Sequence, residues 1–296
     1  MKRKREKLLI FDGSNVMMRA FFAVPQLVTS KGFHTNAIKG VINIVVSVIL
    51  NSQPTHVAFV MDRKAPTHRH KIFKAYKGNR EKDPEQQARL IPQRKPMYDL
   101  LTAMGIKVVH KSGVEADDIV GTLTRLAVEA DMDVEIVSND KDMAQLLDEG
   151  RVTLLKYQQD IKGYVEITRK NCAEHYLVPP KRIPCMLMMK GDKVDNIPGV
   201  DSIGDAAILK LVATAKRIED SDLSVLNKTQ RANFEAARDR FRLVRRLVTI
   251  HRDIMPIKLE KLRPGTPDTK MIHFICKALE AGAIRSTVQR YVKYLN

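Results

Sequence analysis

Through the N-terminal half of the chain, short apolar runs alternate with segments of helical periodicity, and most of the runs are closed by an acid. Residues 8–11, 56–61, 106–110, 134–137 and 152–157 read as strands. Residues 14–22, 36–50, 116–130 and 142–147 read as helices, and residues 97–104 complete another. This alternation predicts an α/β fold with a mostly parallel central sheet flanked by helices. Crossovers in such sheets are right-handed, and ligands sit beyond the carboxyl ends of the strands. Asp12, Asp62 and Asp140 fall just past predicted strand ends, and Glu115 follows another by a short loop. These acids are therefore expected to converge on one rim.

Nine carboxylates fall in five clusters, Asp12, Asp62, Glu115/Asp117/Asp118, Asp140/Asp142 and Asp192/Asp195, on a chain of formal net charge +17. Hard cations such as Mg²⁺ take oxygen ligands, and Mg²⁺ needs few carboxylates because it keeps its waters. Nine exceed the needs of one ion, which predicts a two-metal site. Acids in a first helical turn are favoured by the helix dipole. Three within four residues at 115–118 repel one another unless a cation neutralises them, so that cluster favours metal. Asp12 alone reads equally as a ligand or as a helix-capping residue. The Asp140-Lys141-Asp142 pattern is weak by itself. Acids turned inward onto metals leave the 51 Lys and Arg facing solvent, which favours a nucleic-acid partner through phosphate contacts and counterion release. A generally basic soluble protein is the alternative that charge leaves open.

The three cysteines are scattered, with no zinc or disulfide pattern. The longest apolar stretch, 41–50, is interrupted by Asn43 and Ser47 and is too short to span a bilayer. Residues 8–11 are too short for a signal-peptide core, so a cytoplasmic protein is expected. Residues 63–96 hold eleven Lys or Arg against three Asp or Glu, with prolines at 66, 84, 92 and 96. A loop that long is usually functional or disordered. After Pro179-Pro180 the strands stop, which divides the chain into an α/β core at 1–180 and a helical part at 181–296. Residues 191–204 contain two glycine turns flanking an apolar residue, followed by a helix at 205–212. With the preceding segment this predicts a helix-hairpin-helix near 185–212, whose backbone N–H groups can approach a phosphate. His68 and His70 read as solvated or phosphate-facing, and the run 186–189 as helix core. The stretch 238–246 reads either as a solvated face or as a DNA contact.

Taken in order, these segments resemble the 5′-nuclease (flap endonuclease/5′–3′ exonuclease) superfamily. The likeness is to the N-terminal nuclease domain of bacterial DNA polymerase I and its stand-alone bacteriophage relatives. It runs from Asp12 through Arg19, Val60-Met61-Asp62, Lys64-Ala65-Pro66, Arg69-His70, Tyr76–Arg80, 113–118 and 138–142 to the hairpin at 191–204. The resemblance implies a PIN-like nuclease core, a helical arch at 63–96 and two Mg²⁺ sites, with Mn²⁺ able to substitute. Asp12, Asp62, Glu115, Asp117 and Asp118 would surround the first ion, and Asp140, Asp142, Asp192 and Asp195 the second, with Asp117 near both. Lys77, Arg80 and Arg19 would contact the scissile phosphate. Tyr76 would stack on an unpaired base, and Lys64 and Arg69 would contact DNA. Gly199, Val200, Ser202, Ile203 and Gly204 would grip the duplex backbone, with K⁺ at the turn, although Ser202 stands where the family usually has glycine.

The implied activity is structure-selective 5′-flap endonuclease and 5′–3′ exonuclease cleavage in replication or repair, extending to RNA primers. The implied substrates are 5′-flap, nicked or forked duplex DNA and RNA/DNA hybrid. The implied setting is a monomer in a bacterial or phage-infected cell, with a replicative polymerase or single-strand-binding protein as partner and no membrane. A non-catalytic DNA-structure-binding protein and a related nuclease acting mainly on RNA are the competing readings. A Toprim module would place Glu where Asp12 stands, and a haloacid-dehalogenase phosphatase would need Asp where Ser14 stands.

Overall fold

The computed structural model describes residues 5–63, 65–80 and 83–295. Strand β1 (Lys7–Asp12) passes into helix α1 (Gly13–Ala23) with no intervening loop. Asp12 caps that helix by accepting the Asn15 N–H at 3.2 Å. Gly13 permits the abrupt turn, since a Cβ there would lie 2.4 Å from the Phe59 ring and 2.6 Å from the Val60 carbonyl. The chain continues through α2 (Asn36–Ser52), β2 (His56–Val60), α3 (His68–Ile72), α4 (Pro84–Leu90), α5 (Arg94–Ala103) and β3 (Lys107–Val109). Helix α6 (Ala116–Glu129), β4 (Asp133–Val137), a 3₁₀-helix (Lys141–Glu149), β5 (Val152–Gln158) and β6 (Gly163–Ile167) complete the sheet.

The strand order is β3-β2-β1-β4-β5-β6. All neighbours are parallel except β6, which pairs antiparallel with β5. Successive connections run outward from β1 on one side and then, through β4, on the other. The reversal opens a crevice beyond the carboxyl ends of β1 and β4, where doubly wound sheets bind ligands.

The central strands are buried on both faces, as parallel strands covered by helices must be. Their alternating side chains separate two cores. Leu8, Ile10, Ala58 and Val60 face one core, with Ile119 and Leu123 of α6 and Met143, Leu146 and Leu147 of the 3₁₀-helix. Leu9, Phe11, Val57 and Phe59 face the other, with apolar residues of α1, α2 and α5.

Beyond the sheet come α7 (Cys172–Tyr176), α8 (Ile183–Lys190), α9 (Asp205–Thr214), α10 (Lys228–Ala237), α11 (Phe241–Val248), α12 (Thr269–Ala278) and α13 (Gly282–Leu295). The helical part expected at 181–296 divides between the two faces. Helices α8 to α11 extend the first core, whereas Ile272, Ile275, Ile284, Val288 and Tyr291 of α12 and α13 join the second, behind α2. Among the described residues no helix is long and apolar enough to cross a membrane.

Two expectations change in detail. Strand β6 adds an antiparallel edge, and residues 141–149 form a 3₁₀-helix rather than an α-helix. Within residues 63–96, where a helical arch was expected, α3, α4, a short 3₁₀-helix (Ile91–Gln93) and the start of α5 are helical. Asp83 caps α4 by accepting the Glu85 and Gln86 N–H groups, and Pro84 takes the first helical turn, where its missing N–H costs nothing.

Candidate active site

Seven carboxylates face one open basin of about 450 Å³ at the carboxyl end of the sheet: Asp12, Asp62, Asp117, Asp140, Asp142, Asp192 and Asp195. Ser14, Asn15, Met18, Lys77, Arg80, Asn139, Lys141 and Val194 complete its wall.

Hydroxyls and backbone N–H groups hold these carboxylates in orientation. The Ser138 hydroxyl, one residue past β4, donates to Asp12 Oδ2 at 2.7 Å. The Ser14 hydroxyl donates to Asp62 Oδ2 at 2.8 Å, and the Ala116 N–H at the start of α6 donates to Asp62 Oδ1 at 2.8 Å. Asp140 caps the 3₁₀-helix by accepting the Asp142 N–H at 2.9 Å. Asp192 Oδ1 accepts the N–H groups of Val194 and Asp195, and its Oδ2 accepts Lys141 Nζ at 2.9 Å.

Burial and mutual repulsion raise the pKa values of Asp12, Asp117, Asp140 and Asp142. Burial, against the hydrogen bonds from Ser138 and Asn15 and with repulsion from Asp140 and Asp62, pushes Asp12 up to about 7. Asp142 is pushed up to about 8, first by burial and then by Asp140. Asp117 rises through burial and repulsion from Asp140, Asp12 and Asp62. Burial also raises Asp140, with Asp195 and Asp192 adding repulsion. Asp192 goes the other way: burial opposes its ionisation, but the hydrogen bond and charge of Lys141 hold it low.

These repulsions define two overlapping sets, Asp12, Asp62, Asp117 and Asp140 on one side and Asp140, Asp142, Asp192 and Asp195 on the other. Asp140 belongs to both. Asp142 Oδ1 is buried with no hydrogen-bond partner, an arrangement that costs free energy unless something positive fills the space. An all-oxygen donor set with an orphaned, buried carboxylate oxygen fits hard divalent cations.

Two expected ligands do not reach the basin wall. Asp118 is 0% exposed. Its two oxygens accept Arg69 Nη1 at 2.8 Å and Nη2 at 2.9 Å, and its Oδ1 also accepts the His251 N–H at 2.9 Å. Helical geometry explains this, since adjacent residues of α6 cannot face the same way. Glu115 is also buried, accepting the Thr67 hydroxyl at 2.9 Å, the Tyr76 hydroxyl at 3.1 Å and Lys77 Nζ at 3.1 Å. Burial would raise its pKa, but the Lys77 and Arg69 charges hold it low.

The expected basic and DNA-contacting residues divide as well. Lys77 and Arg80 line the basin. Arg80 Nη2 contacts Asp195 Oδ1 at 2.5 Å. Lys77 has φ +58°, a left-handed backbone that a non-glycine residue adopts only under local constraint. Arg69, expected at DNA, is 2% exposed and is spent on Asp118 and on the carbonyls of Leu247 and Thr249. Tyr76, expected to stack on a base, is 4% exposed and donates to Glu115 and Asp195 instead. Arg19 lies off the basin wall, over the Tyr157 ring at 4.7 Å and bonded to the Tyr164 hydroxyl at 2.6 Å. Lys64 lies outside the described residues.

The segment 191–204 joins α8 to α9 as a hairpin. Ser202 has φ +62°, so serine occupies the left-handed position where glycine was expected. Gly199 is pinned by crowding, since a Cβ there would lie 2.5 Å from the Lys190 carbonyl. From behind, Gln230 and Asn233 of α10 donate to the carbonyls of Ser202 and Asp201, and Arg240 to that of Gly199. Gly204 occupies the N-cap of α9 with no capping side chain, which leaves the first-turn N–H groups available to an anion. In the stretch 238–246, Arg238 pairs with Glu235 and Arg245 with Glu219.

Among the described residues His68, Asp118 and His251 also bring ligand atoms within 4.8 Å of one another. This trio does not suit a metal. Arg69 already takes both Asp118 oxygens, and the two imidazoles stack at 4.3 Å, so their in-plane lone pairs run side by side rather than converging.

Ser14, Ser138 and Lys141 orient the acids without having been singled out from the sequence. The only available signal was the position of both serines within two residues of a strand-end aspartate.

Comparison with known proteins gives concordant results. Residues 7–177 match the 5′-3′ exonuclease N-terminal resolvase-like domain, and residues 178–270 match the 5′-3′ exonuclease C-terminal SAM fold. The chain is 32% identical over 94% of its length to DNA polymerase I of Caldicellulosiruptor bescii, and spans 33% of that protein. It is 31% identical to the 5′-3′ exonuclease of Aquifex aeolicus, with 96% of this chain and 95% of that protein covered. Its fold is similar to that of a flap endonuclease of bacteriophage T5 in complex with DNA and metal ions, with TM-score 0.68, 19% identity and 97% of each chain covered. The two domain matches, together with end-to-end similarity to the Aquifex protein, establish that the chain belongs to the 5′-3′ exonuclease family.

Proposed function

We propose that this chain is a metal-dependent, structure-selective nuclease that hydrolyses DNA phosphodiesters at 5′ ends and 5′ flaps. The observation that carries the reading is the basin itself: seven carboxylates face three cationic side chains, Lys77, Arg80 and Lys141, on a chain of net charge +17. Asp12, Asp62, Asp117 and Asp140 would hold one divalent ion, and Asp140, Asp142, Asp192 and Asp195 a second. When bound, the ions supply the Lewis acidity that activates water and neutralises charge on the leaving oxygen. Mg²⁺ is the ion we assign, with Mn²⁺ as a substitute of similar coordination.

The chain's own residues carry the remaining work. Ser14 and Ser138 fix the faces that Asp62 and Asp12 present, as supporting hydrogen bonds do around metal ligands. Lys77 and Arg80 neutralise the non-bridging oxygens of the scissile phosphate and hold it in line for attack. Glu115 holds Lys77 Nζ in place at 3.1 Å while that phosphate is absent. The open N-terminus of α9, with the hairpin before it, takes a backbone phosphate of the duplex. Contacts of this kind fix position and carry no sequence information. The products are a 5′-phosphate and a 3′-hydroxyl. An RNA 5′ strand annealed to DNA presents the same phosphates and is a second substrate on this reading. A polymerase, fused to this kind of domain in the longer relatives, is the partner class we assign.

The test is cleavage of flap duplexes of identical geometry and different sequence in Mg²⁺. Rates that agree across sequences, with cuts near the flap junction, support the assignment. Rates that follow the base sequence, or products with a 3′-phosphate, contradict it.

A further inference from the structure

The base of the arch is tied to the loop that leads into the hairpin. The Lys77 N–H donates to the Asp195 carbonyl at 2.9 Å, and Arg80 donates to the Asp195 carboxylate. One residue further, the Asn196 side chain makes two more bonds. Its Nδ2 donates to the Ala75 carbonyl at 2.8 Å, and its Oδ1 accepts Asn79 Nδ2 at 2.8 Å. The Ala75 carbonyl also accepts the Gly78 N–H at 3.0 Å. Asn196 thus braces, from outside, the turn on which Lys77 sits. Lys77 at φ +58° and Asn196 at φ +55° are both left-handed, so two constrained residues face each other across this junction.

Asn196 is uncharged and is not part of the basin wall. It lies between Asp195, which does face the basin, and Pro198-Gly199, where the first of the two glycine turns begins. It lines a second cavity with Asn79, Lys190, Lys193 and Gly199, but both ends of its amide are already engaged, with Ala75 and Asn79. We propose that Asn196 is a positioning residue that couples the hairpin to the arch: duplex bound at the hairpin fixes loop 192–196, and Asn196 transmits that constraint to residues 75–80, setting Lys77 and Arg80 over the basin. The proposal rests on the nuclease reading for its kinetic consequence, but the coupling itself can be measured without cleavage.

Asn196→Gly is the informative variant. Glycine keeps the left-handed backbone while removing both side-chain bonds. Asn79→Ala, at an exposed position, removes only one and serves if the first variant folds poorly. Two quantities are read on the full chain. The first is the single-turnover cleavage rate of a 5′-flap duplex in Mg²⁺, beside its affinity in EDTA. The second is trypsin cutting at Lys74, Lys77 and Arg80 in EDTA, with and without a nicked duplex that lacks a flap.

We expect Asn196→Gly to cleave about ten- to a hundredfold more slowly, the scale of a small misplacement of catalytic groups, with affinity unchanged. Asn79→Ala should lose less in the same direction. The flapless duplex should protect the trypsin sites in the unmodified protein and fail to protect them in Asn196→Gly. Wild-type cleavage by Asn196→Gly, equal losses of rate and affinity, or retained protection would each overturn the coupling. An unmodified protein that does not cleave in Mg²⁺ would overturn the nuclease reading instead, and the protection experiment would still decide the role of Asn196.

Discussion

Arg69 and Asp118 form a fully buried, two-pronged ion pair beside the basin without facing it. Removing one partner from such a pair leaves an uncompensated charge in the interior. Arg69→Ala should therefore destabilise the fold by about 3–5 kcal/mol in urea unfolding. A loss under about 1 kcal/mol would mean that Asp118 finds water or another donor. Lys77→Ala should act differently. It removes a cation that is a fifth exposed and faces the basin, so turnover should fall while flap affinity holds. Equal loss in both, measured by single-turnover kinetics and titration, would reduce Lys77 to a binding residue. The residue types of the acidic clusters were legible in the sequence because strand ends place them on one rim. The division of labour within Glu115, Asp117 and Asp118 was not, since it depends on which side of α6 meets Arg69, a contact from 49 residues away.

At the scale of elements, α2 begins without help from its own N-cap. Thr35 makes no capping bond, and the buried amide of Gln93 takes over, its Oε1 accepting the Ala37 N–H at 2.9 Å while its Nε2 donates to Asn36 Oδ1 at 3.2 Å. Gln93→Ala would orphan buried N–H groups at the start of the helix that backs the second core. A loss of about 1–3 kcal/mol is expected in urea unfolding, and an unchanged midpoint would show that the helix start does not need this bond. The periodic elements, α1, α2, α6, β1, β2 and β4, could be read from pattern because their burial is one-sided or complete. The 3₁₀-helix at 141–149 could not, since its helical apolar pattern does not reveal its tighter winding. Strand β6 escaped because five residues with only one buried position give little signal and find their place only by pairing with β5.

Over the whole molecule, metal binding and stability are linked through the basin acids. The folded state raises Asp12 to about 7 and Asp142 to about 8 from a normal 3.8. The folded state therefore binds more protons than the unfolded chain. The stabilisation from this proton uptake is complete below the ordinary carboxylate range and is lost as pH rises through 7 and 8. In EDTA, thermal stability should decline from about pH 4 to about pH 8 and level off above it, and Mg²⁺ should restore it most at the upper end. Asp142→Asn should flatten that decline, and an unchanged slope would remove Asp142 from the repelling set. The α/β architecture was legible from the alternating apolar runs and the acids at their ends. The return of α12 and α13 behind α2 was not, because no local pattern specifies which face a distant helix covers. The most direct test of the account is cleavage of a 5′-end-labelled flap duplex by the purified chain in Mg²⁺ and in EDTA, with Asp117→Asn alongside. The expected result is a Mg²⁺-dependent product cut near the flap junction, absent in EDTA and reduced at least about a thousandfold in the variant, which would still bind the flap. Tight flap binding with no cleavage in Mg²⁺ or Mn²⁺ would contradict it and leave a protein that recognises DNA structure without cutting it.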